Sequence, residues 1–335
     1  MMFRAWLAFF AVAWPATLPA GQHTPPPPLH PDHSRVADHD YVRLEDWART
    51  ADFRPRWLDR DKVMELASTQ ANLVFYTDPR QDSRKAELNG VSVWLALPVV
   101  FQDAHPCVSR LDISETLTPL LSPPLNPPGA RIRTICLDPG HGGKDPGFVV
   151  GPYQEKIFTL LLAREVRSQL ERQGFKVVMT RDSDSFVDKD LRPVIARKRG
   201  ADLFVSLHFN AVDDNRSSVQ GVQVFSCTPA GAASSNAGGE GDTRWVEGNR
   251  RGASSIVLAY QVQKSFLREL SIEDHGAKRA RFAVLRDATM PAILIEGGFL
   301  SHPVEGKKIA DPDYRRRMAR AVVDGILAYQ RAVKG

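Results

Sequence analysis

The stretch Leu137-Asp138-Pro139-Gly140-His141-Gly142-Gly143-Lys144-Asp145-Pro146-Gly147 constrains this chain more than any other. A strand-like run, Ile132 to Leu137, feeds straight into a turn holding four glycines and two prolines. Glycine supplies φ > 0 and lets backbone come close to a ligand, and proline fixes the exit of the turn. One histidine sits at its crest. A histidine held there suits a metal ligand, a general base or a bystander in a phosphate loop. The last reading is the weakest, because Lys144 is not followed by Ser or Thr and no GxGxxG run is present.

From Ala130 onward strands alternate with helices. After the first strand comes a helix beginning near Gln154, with Phe158, Leu161, Leu162, Val166 and Leu170 mostly three and four residues apart, ended by Gly174. Phe175 to Thr180 reads as a strand, Leu191 to Arg199 as a short helix, and Leu203 to Leu207 and Gly221 to Cys227 as strands. A helix carrying Ala259, Val262, Phe266 and Leu270 follows, then the short run Phe282 to Leu285, the buried strand Ala292 to Ile295 and a closing helix, Tyr314 to Tyr329. This order predicts an α/β fold, a mixed and mostly parallel sheet flanked by helices, over residues 131–335.

The preceding sequence divides differently. Met1 to Arg4 is positive, Ala5 to Trp14 is apolar, Pro15 breaks the run and Leu18-Pro19-Ala20 offers a small-residue cleavage site. Residues 1–20 thus read as a signal peptide, too short for a stable membrane span, which predicts a secreted or periplasmic protein. Residues 21–40 read as a Pro/His-rich linker, whose four irregularly spaced histidines make a tether rather than a metal site. Residues 41–121, with short alternating runs and an Asn89-Gly90 turn, predict a small α+β domain. Residues 122–130, with four prolines, read as the linker between the two units.

Composition narrows the partners. A net charge of +5 with scattered basic residues permits an anionic polymer but carries no nucleic-acid signature. Cys107, Cys136 and Cys227 have no CxxC spacing and make no disulfide framework, and Cys136 and Cys227, in strand-like runs, read as small buried hydrophobes.

The chemistry gathers at matching places. Leu203-Phe204-Val205-Ser206-Leu207 ends in His208, Ala292-Ile293-Leu294-Ile295 ends in Glu296-Gly297-Gly298, and Glu155 opens the first long helix. His141, His208 and Glu296 therefore fall at or just past the carboxyl ends of predicted strands, the edge where open α/β sheets bind ligands. Two histidines and a carboxylate match the set of a catalytic zinc, and a second carboxylate that is not a ligand supplies proton transfer. For either histidine alone, hydrogen-bonded scaffolding is the competing reading. A carboxylate buried after Ile-Leu-Ile is harder to explain that way.

Taken together, the His141 turn, Glu155, Ala201-Asp-Leu-Phe-Val-Ser-Leu-His208-Phe-Asn-Ala211, Leu285-Arg286 and Met290-Pro-Ala-Ile-Leu-Ile-Glu296-Gly-Gly-Phe-Leu-Ser301 resemble the zinc-dependent N-acetylmuramoyl-L-alanine amidases of the amidase-3 family, from Arg131 to the C-terminus. The resemblance implies that His141, Glu155 and His208 hold Zn²⁺ and that Glu296 is the catalytic carboxylate. The implied reaction splits the amide between the lactyl group of N-acetylmuramic acid and L-alanine, with peptidoglycan as partner and a protein activator as a second one. Asn210 and Arg286 are candidate substrate residues. Lys278, Arg279 and Arg281 read either as contacts to stem-peptide carboxylates or as a solvated basic face. The Gly/Ser/Ala-rich segment from Cys227 to Ala253 reads as a substrate-side flap rather than an inhibitory plug. With Tyr41-Val-Arg-Leu44, Trp57, Leu88-Asn-Gly90 and Leu117-Thr-Pro-Leu-Leu121, residues 41–121 loosely resemble a copper-amine-oxidase N-terminal-like domain, implying a wall-binding or positioning role or a mere spacer, and no copper. A zinc peptidase acting on crosslinks and a non-catalytic wall-binding protein are the rival readings.

Overall fold

The computed structural model describes residues 35–36, 39–78, 80–214, 216–237 and 242–335. The expected signal peptide and most of the expected 21–40 linker lie outside them. The end of that linker does not: His39–Arg43 is a strand paired antiparallel with His105–Ser109. Its outer neighbours, Arg35–Val36 and Val100–Gln102, complete a four-stranded sheet.

An eleven-stranded sheet dominates the described residues. In chain order its strands are β1 (Arg54–Asp59), β2 (Val63–Ala67), β3 (Asn72–Tyr76), β4 (Lys85–Leu88), β5 (Val91–Trp94), β6 (Thr134–Pro139), β7 (Lys176–Met179), β8 (Leu203–Asn210), β9 (Val222–Ser226), β10 (Asp274–Arg279) and β11 (Ala292–Phe299). Across the sheet they lie in the order β7-β6-β8-β11-β9-β10-β5-β4-β3-β2-β1. β7, β6, β8 and β11 are parallel. β9 runs antiparallel to β11, with β10 and β5 parallel to β9. The remaining strands form an antiparallel meander. The fold is therefore a mixed α/β sheet flanked by helices.

The helices are α1 (Leu44–Thr50), α2 (Glu155–Arg172), α3 (Arg192–Lys198), α4 (Gly252–Leu270), α5 (Ala283–Arg286), α6 (Glu305–Ala310) and α7 (Pro312–Ala332), with a further helical stretch over 110–121. The apolar stripes of α2, α4 and α7 bury Leu162, Val166, Val262, Phe266, Val322 and Ile326 against one sheet face, which contributes Leu137, Val205, Leu207, Val224 and Ile295. The opposite face carries a smaller cluster, in which Cys136, Phe204, Phe225 and Leu294 meet Ala196 of α3 and Val284 and Leu285 of α5.

Residues 41–121 supply the small N-terminal part of strands and short helices, and the sheet runs without a break from it into the other half. Ala277 of β10 pairs with Val93 of β5, Ser92 N donates to Asp274 Oδ2 at 2.7 Å, and Tyr260 Oη donates to Leu88 O at 3.0 Å. Met64, Leu66, Phe75 and Val93 share one core with α4. The strand that makes this junction, Asp274-His-Gly-Ala-Lys-Arg279, is polar and has no period-two apolar pattern, so the sequence alone predicts no strand there.

The basic residues at its end are tied to neighbouring groups of the chain. Arg279 is buried, donating to Cys227 O, to Thr116 Oγ1 at 3.2 Å and to Glu115 O. Lys278 Nζ donates to Gln223 Oε1 at 2.8 Å, and Arg281 binds the carbonyls of Pro229, Ala232 and Arg244.

Candidate metal and catalytic site

β6, β8 and β11 are parallel, so their carboxyl ends share one edge, and each brings one residue of the site there. Immediately after β6, Gly140 N donates to Leu207 O at 3.0 Å, which closes the turn back onto β8. His141 then adopts φ 60°, a left-handed conformation unfavourable for a residue with a Cβ. Its neighbours hold it there. Arg192 Nη2 donates to His141 O at 2.9 Å, and Arg181 donates to Pro139 O at 3.0 Å and Gly140 O at 2.7 Å. Below them Asp138, fully buried, accepts from Arg192 at 2.8 Å, Thr180 at 2.6 Å and Ser206 at 2.7 Å. These residues lie inside or near the glycine motif, but nothing in their spacing announces a carbonyl-gripping arginine pair.

Glu155, the first residue of α2, is buried between the two histidines. Its Oε2 lies 3.0 Å from His141 Nε2 and its Oε1 lies 2.9 Å from His208 Nδ1. The backbone N–H groups of Phe148 and Phe209 also donate to it. The imidazole planes stand edge to face with centroids 4.9 Å apart. Two glycines make this approach possible. A Cβ on Gly140 would lie 2.2 Å from the His208 ring, and one on Gly147 (φ +66°) would lie 2.6 Å from both Glu155 Oε2 and His141 Cδ2. Ligand atoms from His141, Glu155 and His208 all fall within 4.8 Å of one another, a group able to hold a metal ion. The second nitrogen of His141 is fixed by Asp145 Oδ2 at 2.9 Å, the outer-shell carboxylate that metal-binding histidines commonly have.

The electrostatics follow from burial and pairing. Burial alone would lower the His141 pKa, but the Asp145 and Glu155 carboxylates prevail and push it up to about 10. Burial opposes ionisation of Glu155 as well, and the contacts with His141 and His208 overcome it, holding this carboxyl far below its ordinary range. Glu296 goes the other way. Burial first, and then the facing Glu155 carboxylate, raise it well above the usual value, opposed in part by His141. Glu296 is the register partner of His208 across β8 and β11, so the two side chains share a sheet face. Its Oε2 is buried without a hydrogen-bond partner. That unsatisfied oxygen is costly for folding alone.

Not every expected residue reaches this group. Asn210 turns its Oδ1 to Ala211 N, and the Arg286 guanidinium meets Asp287 and Asp190; neither bonds a member of the cluster. The segment expected as a flap also lies elsewhere. Because β9 is antiparallel to β11, the chain leaves β9 at the edge opposite to Glu296. Described parts of that segment form short helical turns at Ser235–Ala237 and Glu247–Arg251, anchored by Arg281, and its end opens α4. They make no substrate-side flap.

Comparison with known proteins places this edge in context. N-acetylmuramoyl-L-alanine amidase AmiC of Neisseria meningitidis is 36% identical over 242 residues, covering 65% of this chain and 57% of the relative. AmiC of Escherichia coli is 33% identical over 245 residues, covering 65% and 58%. The chain thus spans less than two thirds of the length of these curated relatives. Among solved structures, the amidase AmiC2 of Nostoc punctiforme superposes with a TM-score of 0.51 at 33% identity, covering 61% of this chain and 99% of that one. The amidase from Clostridium difficile 630 gives 0.51 at 30% identity, covering 60% and 97%. Residues 41–121 fall outside the family match, which gives no support to their copper-amine-oxidase resemblance. Residues 135–328 match the Amidase_3 family, and the chain belongs to this family of N-acetylmuramoyl-L-alanine amidases.

Proposed function

We propose that this protein hydrolyses the amide between the lactyl group of N-acetylmuramic acid and L-alanine in peptidoglycan, using one zinc ion. The observation that carries this reading is the meeting of His141, Glu155 and His208 beside Glu296 at one sheet edge, in a chain of the Amidase_3 family. Two imidazoles and a carboxylate suit zinc, and leave it a position for water or substrate. Glycines at 140 and 147 and the Asp145 contact fit a ligand set shaped in advance. Bound there, zinc supplies Lewis acidity toward the scissile carbonyl and acidifies water.

The remaining work belongs to the chain. Glu296 accepts a proton from the attacking water and returns it to the departing amine of L-alanine. A carboxyl lifted above its ordinary range by burial is suited to hold that proton between the two steps. Asp145 keeps the His141 ring in one tautomer, and the Arg181–Arg192 pair fixes the backbone beneath it.

The signal-peptide layout of residues 1–20 supports export, to a periplasm or cell wall where peptidoglycan is the partner. No described helix is long and apolar enough to cross a membrane. Residues 41–121 are proposed to position the catalytic half on the wall. A metal titration tests the zinc assignment: chelated protein should bind one equivalent of Zn²⁺, and His141→Ala and His208→Ala should each abolish tight binding. Undiminished binding in both variants contradicts the ligand set.

A further inference from the structure

Beside the candidate catalytic carboxylate lies a side chain that neither the metal nor the proton transfers use. Gln223 of β9 is the register partner of Glu296, so the two point from the same sheet face, with Cβ atoms about 5 Å apart in such pairs. Gln223 is buried, and Lys278 Nζ donates to its Oε1 at 2.8 Å. An ammonium group has donors only, so this contact selects the amide orientation. Oε1 faces Lys278, and the two Nε2–H donors turn the other way. β10, carrying Lys278, and β11, carrying Glu296, flank β9 on opposite sides, so Lys278 holds Oε1 on the side away from β11 and leaves Nε2 out of that contact. No hydrogen bond among the described residues occupies its donors, and Glu296 Oε2 accepts none.

Lys278 is in turn held by the N-terminal strands. Its Nζ lies 5.0 Å from the ring centroid of Trp94 on β5, and Trp94 Nε1 donates to His275 O at 2.9 Å. The indole crosses the position of Gly276, where a Cβ would stand 2.9 Å from Trp94 Cδ1. Gly276 has φ +90°, so the strand bends there with a residue that leaves room for the ring. A line of contact therefore runs from the N-terminal half, through Trp94 and Lys278, to an amide that presents free donors beside the reacting centre.

We infer that Gln223 is a substrate-binding residue, its Nε2–H donating to a carbonyl oxygen that flanks the scissile amide, and that Lys278 and Trp94 are positioning residues which fix that amide. The substrate class, an N-acetylmuramoyl peptide, is rich in amide carbonyls that match such a donor. This inference rests on the amidase reading above and adds to it a means by which residues 41–121 act on the site.

The test uses the full zinc-loaded protein and a soluble N-acetylmuramoyl-L-alanyl peptide. Gln223→Glu keeps the size of the side chain and an acceptor for Lys278 but has no donor; kcat/KM should fall about tenfold or more. Lys278→Met should cost about three- to tenfold with Gln223 present, and nothing further in the Gln223→Leu background, because the lysine acts only through that amide. Zinc content and Tm of each variant separate this from unfolding. Wild-type kcat/KM in Gln223→Glu, or losses that simply multiply in the double variant, would overturn the inference. A wild type that cleaves nothing would refute the amidase reading instead. Calorimetric binding of the same peptide then decides the present point, equal affinities of wild type and Gln223→Glu overturning it.

Discussion

Replacing Arg192 with methionine should cost this protein a large part of its stability, and the structure allows the loss to be sized. The guanidinium makes five hydrogen bonds, to Asp138 Oδ1 (2.8 Å), Pro139 O (2.8 Å), His141 O (2.9 Å) and twice to Val187 O (2.8 and 3.1 Å). Asp138 is fully buried, so its charge would lose its ionic partner in a place water does not reach. Removing one partner of a buried pair costs about 3–5 kcal/mol. The lower end applies here. Thr180 and Ser206 still donate to Asp138, and Arg181 still serves Pro139 O. About 3 kcal/mol corresponds to a Tm lower by roughly 4–5 °C for a chain of this size. Activity should fall with it, since the His141 carbonyl loses its donor and the strained φ of 60° loses a restraint. Urea unfolding of Arg192→Met, and of Arg192→Met with Asp138→Asn, reads the energies. The second change removes the orphaned charge and should recover about 1–2 kcal/mol. A single variant that loses less than about 1 kcal/mol, or a double variant that recovers nothing, would refute the argument.

Two further predictions concern the site and its margin. Gly147→Ala places a Cβ 2.6 Å from both Glu155 Oε2 and His141 Cδ2, so metal affinity measured by competition with a chelator should drop about 10–100-fold. Gly151→Ala, also at positive φ but facing open space, should cost only about 1 kcal/mol of strain and leave metal affinity unchanged; equal effects from the two would refute the steric account. Glu305 is pushed up to about 7 by burial, against the pull of hydrogen bonds from Phe299 N and Gly221 N. The unfolded chain ionises this group first, so its contribution to stability is present below pH about 4.5, falls as pH rises to about 7 and is flat above, a change of about 3 kcal/mol. Thermal melts across that range should show the slope in wild type and its loss in Glu305→Gln; parallel curves would contradict it.

The half that matches the family was largely legible because its strands are short apolar runs that end abruptly in polar residues. Ala292-Ile-Leu-Ile followed by Glu296, and Leu203 to Leu207 followed by His208, announce both a buried strand and the candidate edge for its chemistry. The junction between halves was not legible, because Asp274–Arg279 is held by backbone pairing and by buried side-chain contacts of Lys278 and Arg279 rather than by an apolar pattern. Without that strand, nothing around the proline-rich stretch at 122–130 tells that one sheet joins the two halves. The supposed flap failed for a related reason. Composition gave its Gly/Ser/Ala content, but only the antiparallel direction of β9 relative to β11 tells which edge it leaves from. Asp138, Arg181 and Arg192 escaped notice because gripping a turn through its carbonyls needs no fixed spacing in sequence.

The central claim is best tested on intact peptidoglycan digested by the zinc-loaded protein, with products identified by mass spectrometry. The account predicts free stem peptides beginning with L-alanine and glycan left bare, abolished by chelator, restored by Zn²⁺ and absent with Glu296→Ala at unchanged zinc content. Peptides trimmed while still attached to glycan, or full activity in Glu296→Ala, would contradict it.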